Sequence, residues 1–117
     1  MPSIRDVVEA LQGRDGVDAV LVVGNDGLVI DSRTRGPVDG EGVAALLPTA
    51  LRGIADLGAA GSRGAFATGV LEFDGGLALI AELTEEAALV ILVAPGVNVA
   101  ELLFDLQRHR SALAGLF

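Results

Sequence analysis

Three stretches of the sequence carry side chains of the types that do chemistry. Gly40-Glu41-Gly42-Val43-Ala44-Ala45 fits G-x-G-x-x-A, the spacing that lets a backbone turn approach a dinucleotide pyrophosphate at a helix start. That chemistry needs a βαβ unit whose first strand runs directly into the glycines. Here a hairpin and a loop through Pro37 precede them, so the fingerprint lacks its setting. Ala60-Gly61-Ser62-Arg63-Gly64 approximates a nucleophile elbow around Ser62, but Ala60 replaces the first glycine and the order is helix then strand. Ser62 would also need a base, and the only imidazole, His109, belongs to the last helical segment. His109 has neither a second His nor a Cys with which to hold a metal. Glu85-Glu86 reads as two solvated acids at a turn. No nucleophile, base and oxyanion donor come together, so the expectation is a protein without catalytic, cofactor-binding or metal-binding residues.

Composition narrows the class further. A chain of 117 residues is one domain, residues 1–117. It carries 16 acidic and 8 basic residues, a net charge of −8, which argues against nucleic acid and anionic membrane surfaces as partners. Every basic residue is Arg, so a P-loop lysine or a lysine Schiff base is excluded. With no Cys there is no disulfide and no thiol nucleophile. The start, Met-Pro-Ser-Ile-Arg-Asp, lacks the regions of a signal peptide. The longest uncharged run, Ala87 to Ala100, is 14 residues and is broken by Pro95-Gly96, too short to span a bilayer. The expectation is a cytoplasmic protein without membrane insertion. Area scaling predicts a folded surface of about 6,000 Å². A chain that is 51% hydrophobic has more apolar surface than one small core hides, so a partner or a second copy should cover the surplus.

The elements that would position these residues follow from periodicity and turn chemistry. Ser3 and Asp6 are spaced as a capping box before Ile4, Val7, Val8 and Leu11, an apolar helical stripe that ends at Gly13 and Gly16. Ala19–Val23 and Leu28–Ile30 flank Asn25-Asp26-Gly27, a hairpin signal, with Asp31-Ser32-Arg33 suiting an edge strand. Asp39 caps a helical segment reaching about Gly61. Strands at Ala65–Phe73, Leu77–Leu83 and Ala88–Ala94 are joined by short turns. Asn98 and Glu101 suggest a second capping box, before a helix lined by Val99, Leu102, Leu103, Leu106 and Leu113, with Glu101 in its first turn and Arg108 and Arg110 in its later turns, so that both ends complement the helix dipole. The order is αββαβββα, an α+β fold. Val20–Val23 and Leu89–Val93 are uniformly apolar, as strands buried on both faces should be, which places the first and fifth strands side by side.

In the middle helix, Glu41, Thr49, Arg52 and Asp56 fall within about 80° of one another on the helical wheel. This narrow polar stripe predicts one wet face. Val43, Leu47, Ala50, Ile54 and Leu57 lie opposite and are expected on the sheet. Ala44, Leu51, Ala55 and Gly58, on a flank between, are spaced as a helix–helix seam and predict a dimer interface of small residues. Pro48 sits where a kink or a fresh helix start is expected.

The element order, the segment Gly24-Asn25-Asp26-Gly27-Leu28-Val29-Ile30 after an apolar strand, and the Ala/Leu-rich middle helix together resemble the Roadblock/dynein light chain family. In that family a segment of the form v-D-x-D-G-l-x-i closes the first hairpin. The resemblance implies a five-stranded, mostly antiparallel sheet ordered 2-1-5-4-3, with the middle helix on one face and the terminal helices on the other. It implies a homodimer built through the middle helix and the third strand, no catalytic residue and no cofactor. It also implies a small Ras-like GTPase as partner, regulated or scaffolded without an arginine finger. Glu41, Thr49, Arg52 and Asp56 are the residues expected to face that partner. The alternative from another class is a small-ligand sensor with a profilin-like or PAS-like sheet, which would need a cavity with polar groups in it.

Overall fold

The computed structural model describes residues 3–117. Helix α1 (Ile4–Gln12) starts at a complete capping box: the Ser3 hydroxyl accepts from the Asp6 N–H, and the Asp6 carboxylate accepts from the Ser3 N–H at 2.9 Å. Strands β1 (Val17–Gly24) and β2 (Val29–Thr34) form the first hairpin, and helix α2 (Gly40–Ala60) follows. Strands β3 (Thr68–Phe73), β4 (Gly76–Thr84) and β5 (Ala87–Val93) form the meander, and α3 (Ala100–Ala114) closes the chain. The sheet order is β2-β1-β5-β4-β3 with every pairing antiparallel, as the resemblance implied.

Alternation along β1 explains its uninterrupted apolar run. Val20 and Val22 point to one face, where α1 contributes Val8 and α3 contributes Leu102 and Leu106. Ala19, Leu21 and Val23 point to the other, under Ala44 and Leu47 of α2. A strand covered on both sides has no polar face to declare. The two hairpin tips are tied together where the Asn25 N–H donates to the Glu86 carbonyl at 2.9 Å, so Glu86 acts through its backbone.

Two expectations at the helix ends are corrected. Asn98 and Glu101 form no capping box: the cap position is Val99, and the Asn98 side chain accepts from the Ala100 N–H two residues on. Arg108 and Arg110 lie in the later turns of α3, but its last turn holds no basic residue, so the expected complement to the dipole at its C-terminal end is missing. Arg108 stacks 5.5 Å from the Phe104 ring centre, and Arg110 donates to the Thr68 hydroxyl at 3.3 Å. Helix α2 runs unbroken through Pro48.

The accessible surface is 6930 Å², above the value of about 6,000 Å² expected for this mass. Exposed large apolar side chains include Leu46 and Leu57 on α2, Val70, Leu71 and Phe73 on β3, and Leu28, Ile30, Phe104 and Phe117 elsewhere.

Candidate dimerisation and partner-binding surface

The N-terminus of α2 is set by Asp39, whose carboxylate accepts from the Gly42 N–H at 3.0 Å. That carboxylate occupies the anion-binding end of the helix, so Gly40-Glu41-Gly42 works as an ordinary capped helix start. Ser62 lies just past the C-terminus of α2, on the opposite face of the sheet from α3, which carries His109. The structure does not bring the two together.

The polar stripe stands as expected: Glu41, Thr49, Arg52 and Asp56 are all exposed, and Arg52 donates to the Thr49 hydroxyl at 3.2 Å. The face resting on the sheet is rotated from the expected one. Ala44 is fully buried and Leu51 packs half-buried on the core, so these two residues of the expected seam face their own sheet. Ala55 is exposed and Gly58 half-buried. Conversely Ala50 and Leu57, expected on the sheet, are exposed, with Leu57 at 72%. The physical reason lies in close approach. The β1–β2 turn packs Gly27 against the backbone of Ala44 and Ala45, and the carbonyl of Gly64 sits against Gly58. Small residues do mark a seam here, but the helix closes on its own turn and loop at those positions.

Rotation leaves Leu46, Ala50, Gly53 and Leu57 on the outside, with Leu46 at 73% exposure. Their spacing of 4, 3 and 4 is that of a helix-pairing seam. Nothing but that spacing, with large leucines at its ends, could have identified it from sequence. The free edge opposite β2 is β3, where Leu71 and Phe73 are exposed on the α2 face and Val70 on the other. A groove of about 490 Å³ between Leu57, Gly61 and Phe66 joins the helix flank to the start of β3. The two sheet edges differ. On β2 the register slips beside Val23, and ion pairs Arg5–Asp31 and Arg33–Glu9 tie the strand to α1. β3 pairs with β4 in unbroken register and carries a single charge, Glu72. It is an edge with little against further pairing.

By length and composition α2 is also apolar enough to cross a membrane, but in this fold it covers one face of the sheet. Among the described residues no three His, Cys, Asp or Glu side chains gather as a metal cluster.

The same architecture recurs in solved structures. The gliding protein MglB from Thermus thermophilus superposes with a TM-score of 0.84 at 18% identity, over 96% of this chain and 86% of that one. An MglB solved with a tetrameric arrangement also gives a TM-score of 0.84 at 18% identity, over 96% and 85% of the two chains. A Roadblock/LC7 domain from Streptomyces avermitilis gives 0.82 at 18% identity, over 97% of each. At these identities the likeness establishes the fold. Comparison with curated proteins gives no match. The sequence itself matches the Roadblock/LC7 domain model over residues 4–93, from the start of α1 to the end of β5. Fold and sequence agree over the whole sheet, and the chain belongs to the Roadblock/LC7 domain family.

Proposed function

We propose that the chain is a cytoplasmic, non-enzymatic homodimer that binds and regulates a small Ras-like GTPase. The observation that carries this reading is the exposed apolar side chains on the α2 side of the molecule, Leu46 and Leu57 of α2 and Leu71 and Phe73 of the β3 edge. A two-fold axis beside β3 pairs that strand with its copy and brings the two α2 flanks together. The apolar surplus of the composition is then covered. Self-association is in keeping with the tetrameric arrangement in which one MglB was solved.

Pairing through Leu46, Ala50, Gly53 and Leu57 leaves Glu41, Thr49, Arg52 and Asp56 in water. Two copies of this stripe flank the axis, and one GTPase straddles them. Arg52 is the anchor, because a guanidinium serves an interface better than the shorter polar groups beside it. Family membership supports the GTPase as the class of partner. The test is titration of a small Ras-like GTPase from the same organism, loaded with a non-hydrolysable GTP analogue, against wild type and Arg52→Glu. Wild type should bind, and the variant should bind at least tenfold more weakly. Equal affinities would remove the stripe from the interface; no binding by either protein would remove the GTPase. The hydrolysis rate of the GTP-loaded partner at saturating dimer then separates an activator from a scaffold.

A further inference from the structure

The backbone of β3 alternates in what it offers to the open edge. The Glu82 N–H donates to the Ala67 carbonyl at 2.9 Å, and in an antiparallel ladder hydrogen-bonded residues alternate with residues that are not. Ala67, Gly69, Leu71 and Phe73 therefore direct their backbone groups to β4. Thr68, Val70 and Glu72 turn theirs outward. The side chains of these same three lie on the α1 and α3 face, because they stand beside Ala81, Leu79 and Leu77 of that face.

Glu72 is the single charge on the strand and is exposed. At the other end of the strand, the half-buried Arg110 of α3 donates to the Thr68 hydroxyl at 3.3 Å. Neither Glu72 nor Arg110 has an ion-pair partner among the described residues. Four residues of extended strand, about 13 Å, separate Thr68 from Glu72, so the two charges do not meet within one chain.

A second copy brings them together. A two-fold axis perpendicular to the sheet keeps both α2 helices on one face and sets β3 antiparallel to its copy. With the axis at Val70, all three outward residues find partners. Val70 faces its own copy, and Thr68 of each chain faces Glu72 of the other. An axis at Gly69 would put Glu72 opposite Phe66, before the strand begins, and one at Leu71 would put Thr68 opposite Asp74 in the turn. An axis at Glu72 would set two carboxylates against each other.

We propose that β3 pairs with its copy about an axis at Val70, and that Glu72 of each chain forms an ion pair with the partner's Arg110. The proposal rests on the dimer inferred above and fixes its register. Hydrogen-bonded residues opposite each other stand about 5.5 Å apart at Cα, so a Glu72 carboxylate facing Thr68 lies within reach of the guanidinium held there. The pair occurs twice about the axis. On the α2 face, Leu71 falls opposite the partner's Gly69, where no side chain competes for space. A foreign strand without these charges at this spacing forfeits both ion pairs, so they select a second copy of this chain.

Two experiments read the register and the charges separately. The chain has no Cys, so Val70→Cys places a single thiol at the axis. Under air oxidation Val70→Cys should form a disulfide-linked dimer on a non-reducing gel. Leu71→Cys and Glu72→Cys, each beyond disulfide reach of its copy, should not. Glu72→Arg and Arg110→Glu should each weaken the dimer about tenfold or more by sedimentation equilibrium, because like charges then face each other twice. Mixed in equal amounts, these two variants regain both ion pairs in the heterodimer, and native mass spectrometry should show it well above its random share. Arg110→Gln replaces Arg110→Glu in the sedimentation test should the latter lose the wild-type circular dichroism spectrum. A wild-type monomer would overturn the dimer itself. A wild-type dimer in which Leu71→Cys or Glu72→Cys cross-links ahead of Val70→Cys overturns the register alone. Charge variants that dimerise like wild type and mix at random overturn the ion pair.

Discussion

The carbonyl oxygen of Gly64 occupies the space beside Gly58 that any side chain there would need. The loop is drawn back onto the last turns of α2, where the Arg63 N–H donates to the Gly58 carbonyl at 2.8 Å. Gly58→Ala must push a backbone carbonyl aside and should cost about 1–3 kcal/mol, as overpacking does. Thermal or urea melts of the two proteins measure it. Superimposable curves would show that the loop moves away freely.

The rotated face of α2 separates two leucines that look alike in sequence. Leu57→Arg should leave the protomer folded and convert the dimer to a monomer, because it places an unpaired charge in the seam. Leu51→Arg should instead destabilise the protomer, at a cost of about 2–4 kcal/mol, because Leu51 packs on its own sheet. Arg33→Ala, at the far edge, should leave mass and melting temperature near wild type. Light scattering on a sizing column, paired with melts, distinguishes all three.

Gly27 has φ of +79° at the β1–β2 turn and lies against the backbone of Ala44 and Ala45. Gly27→Val puts a branched side chain into a left-handed conformation under α2. A loss of about 1–3 kcal/mol in melts is expected, more than turn strain alone would produce.

The hydrogen bonds from the Ser3 backbone, and then from its hydroxyl, hold the Asp6 carboxyl below the usual aspartate value. A carboxylate whose folded pKa is depressed adds stability above its unfolded pKa of about 3.9 and loses it as pH falls through the folded value. Asp6→Asn should therefore be less stable than wild type at pH 6, with the gap closing below about pH 4. Melts at pH 6 and pH 3 check the sign; a gap independent of pH would assign it to the neutral hydrogen bonds.

Much of this fold is local, and local features are legible. Ser3 and Asp6, Asp39, and the Asn25-Asp26-Gly27 turn each act within a few residues, so spacing alone identifies them. The double burial of β1 shows as an uninterrupted apolar run. The orientation of α2 is not local. Ala44 and Gly58 are small because a turn and a loop from elsewhere press on them, and composition records only that something approaches. A helical wheel centred opposite the polar stripe therefore put Leu57 on the sheet and Ala44 outside. The polar stripe was legible because charged side chains on a helix seek water whichever way it is turned.

The inequality of the two sheet edges has a consequence for assembly size. A sheet with two open edges can add copies without limit and grow into a fibre. In the proposed dimer, joining two chains along β3 would use up both open edges and leave a ten-stranded sheet bounded on each side by β2. Those boundaries carry the register slip beside Val23 and the charged pairs Arg5–Asp31 and Arg33–Glu9. Strand addition would therefore stop at two copies. A greasy, unguarded strand would then be no hazard in a crowded cell, because its first meeting with a second copy would remove it.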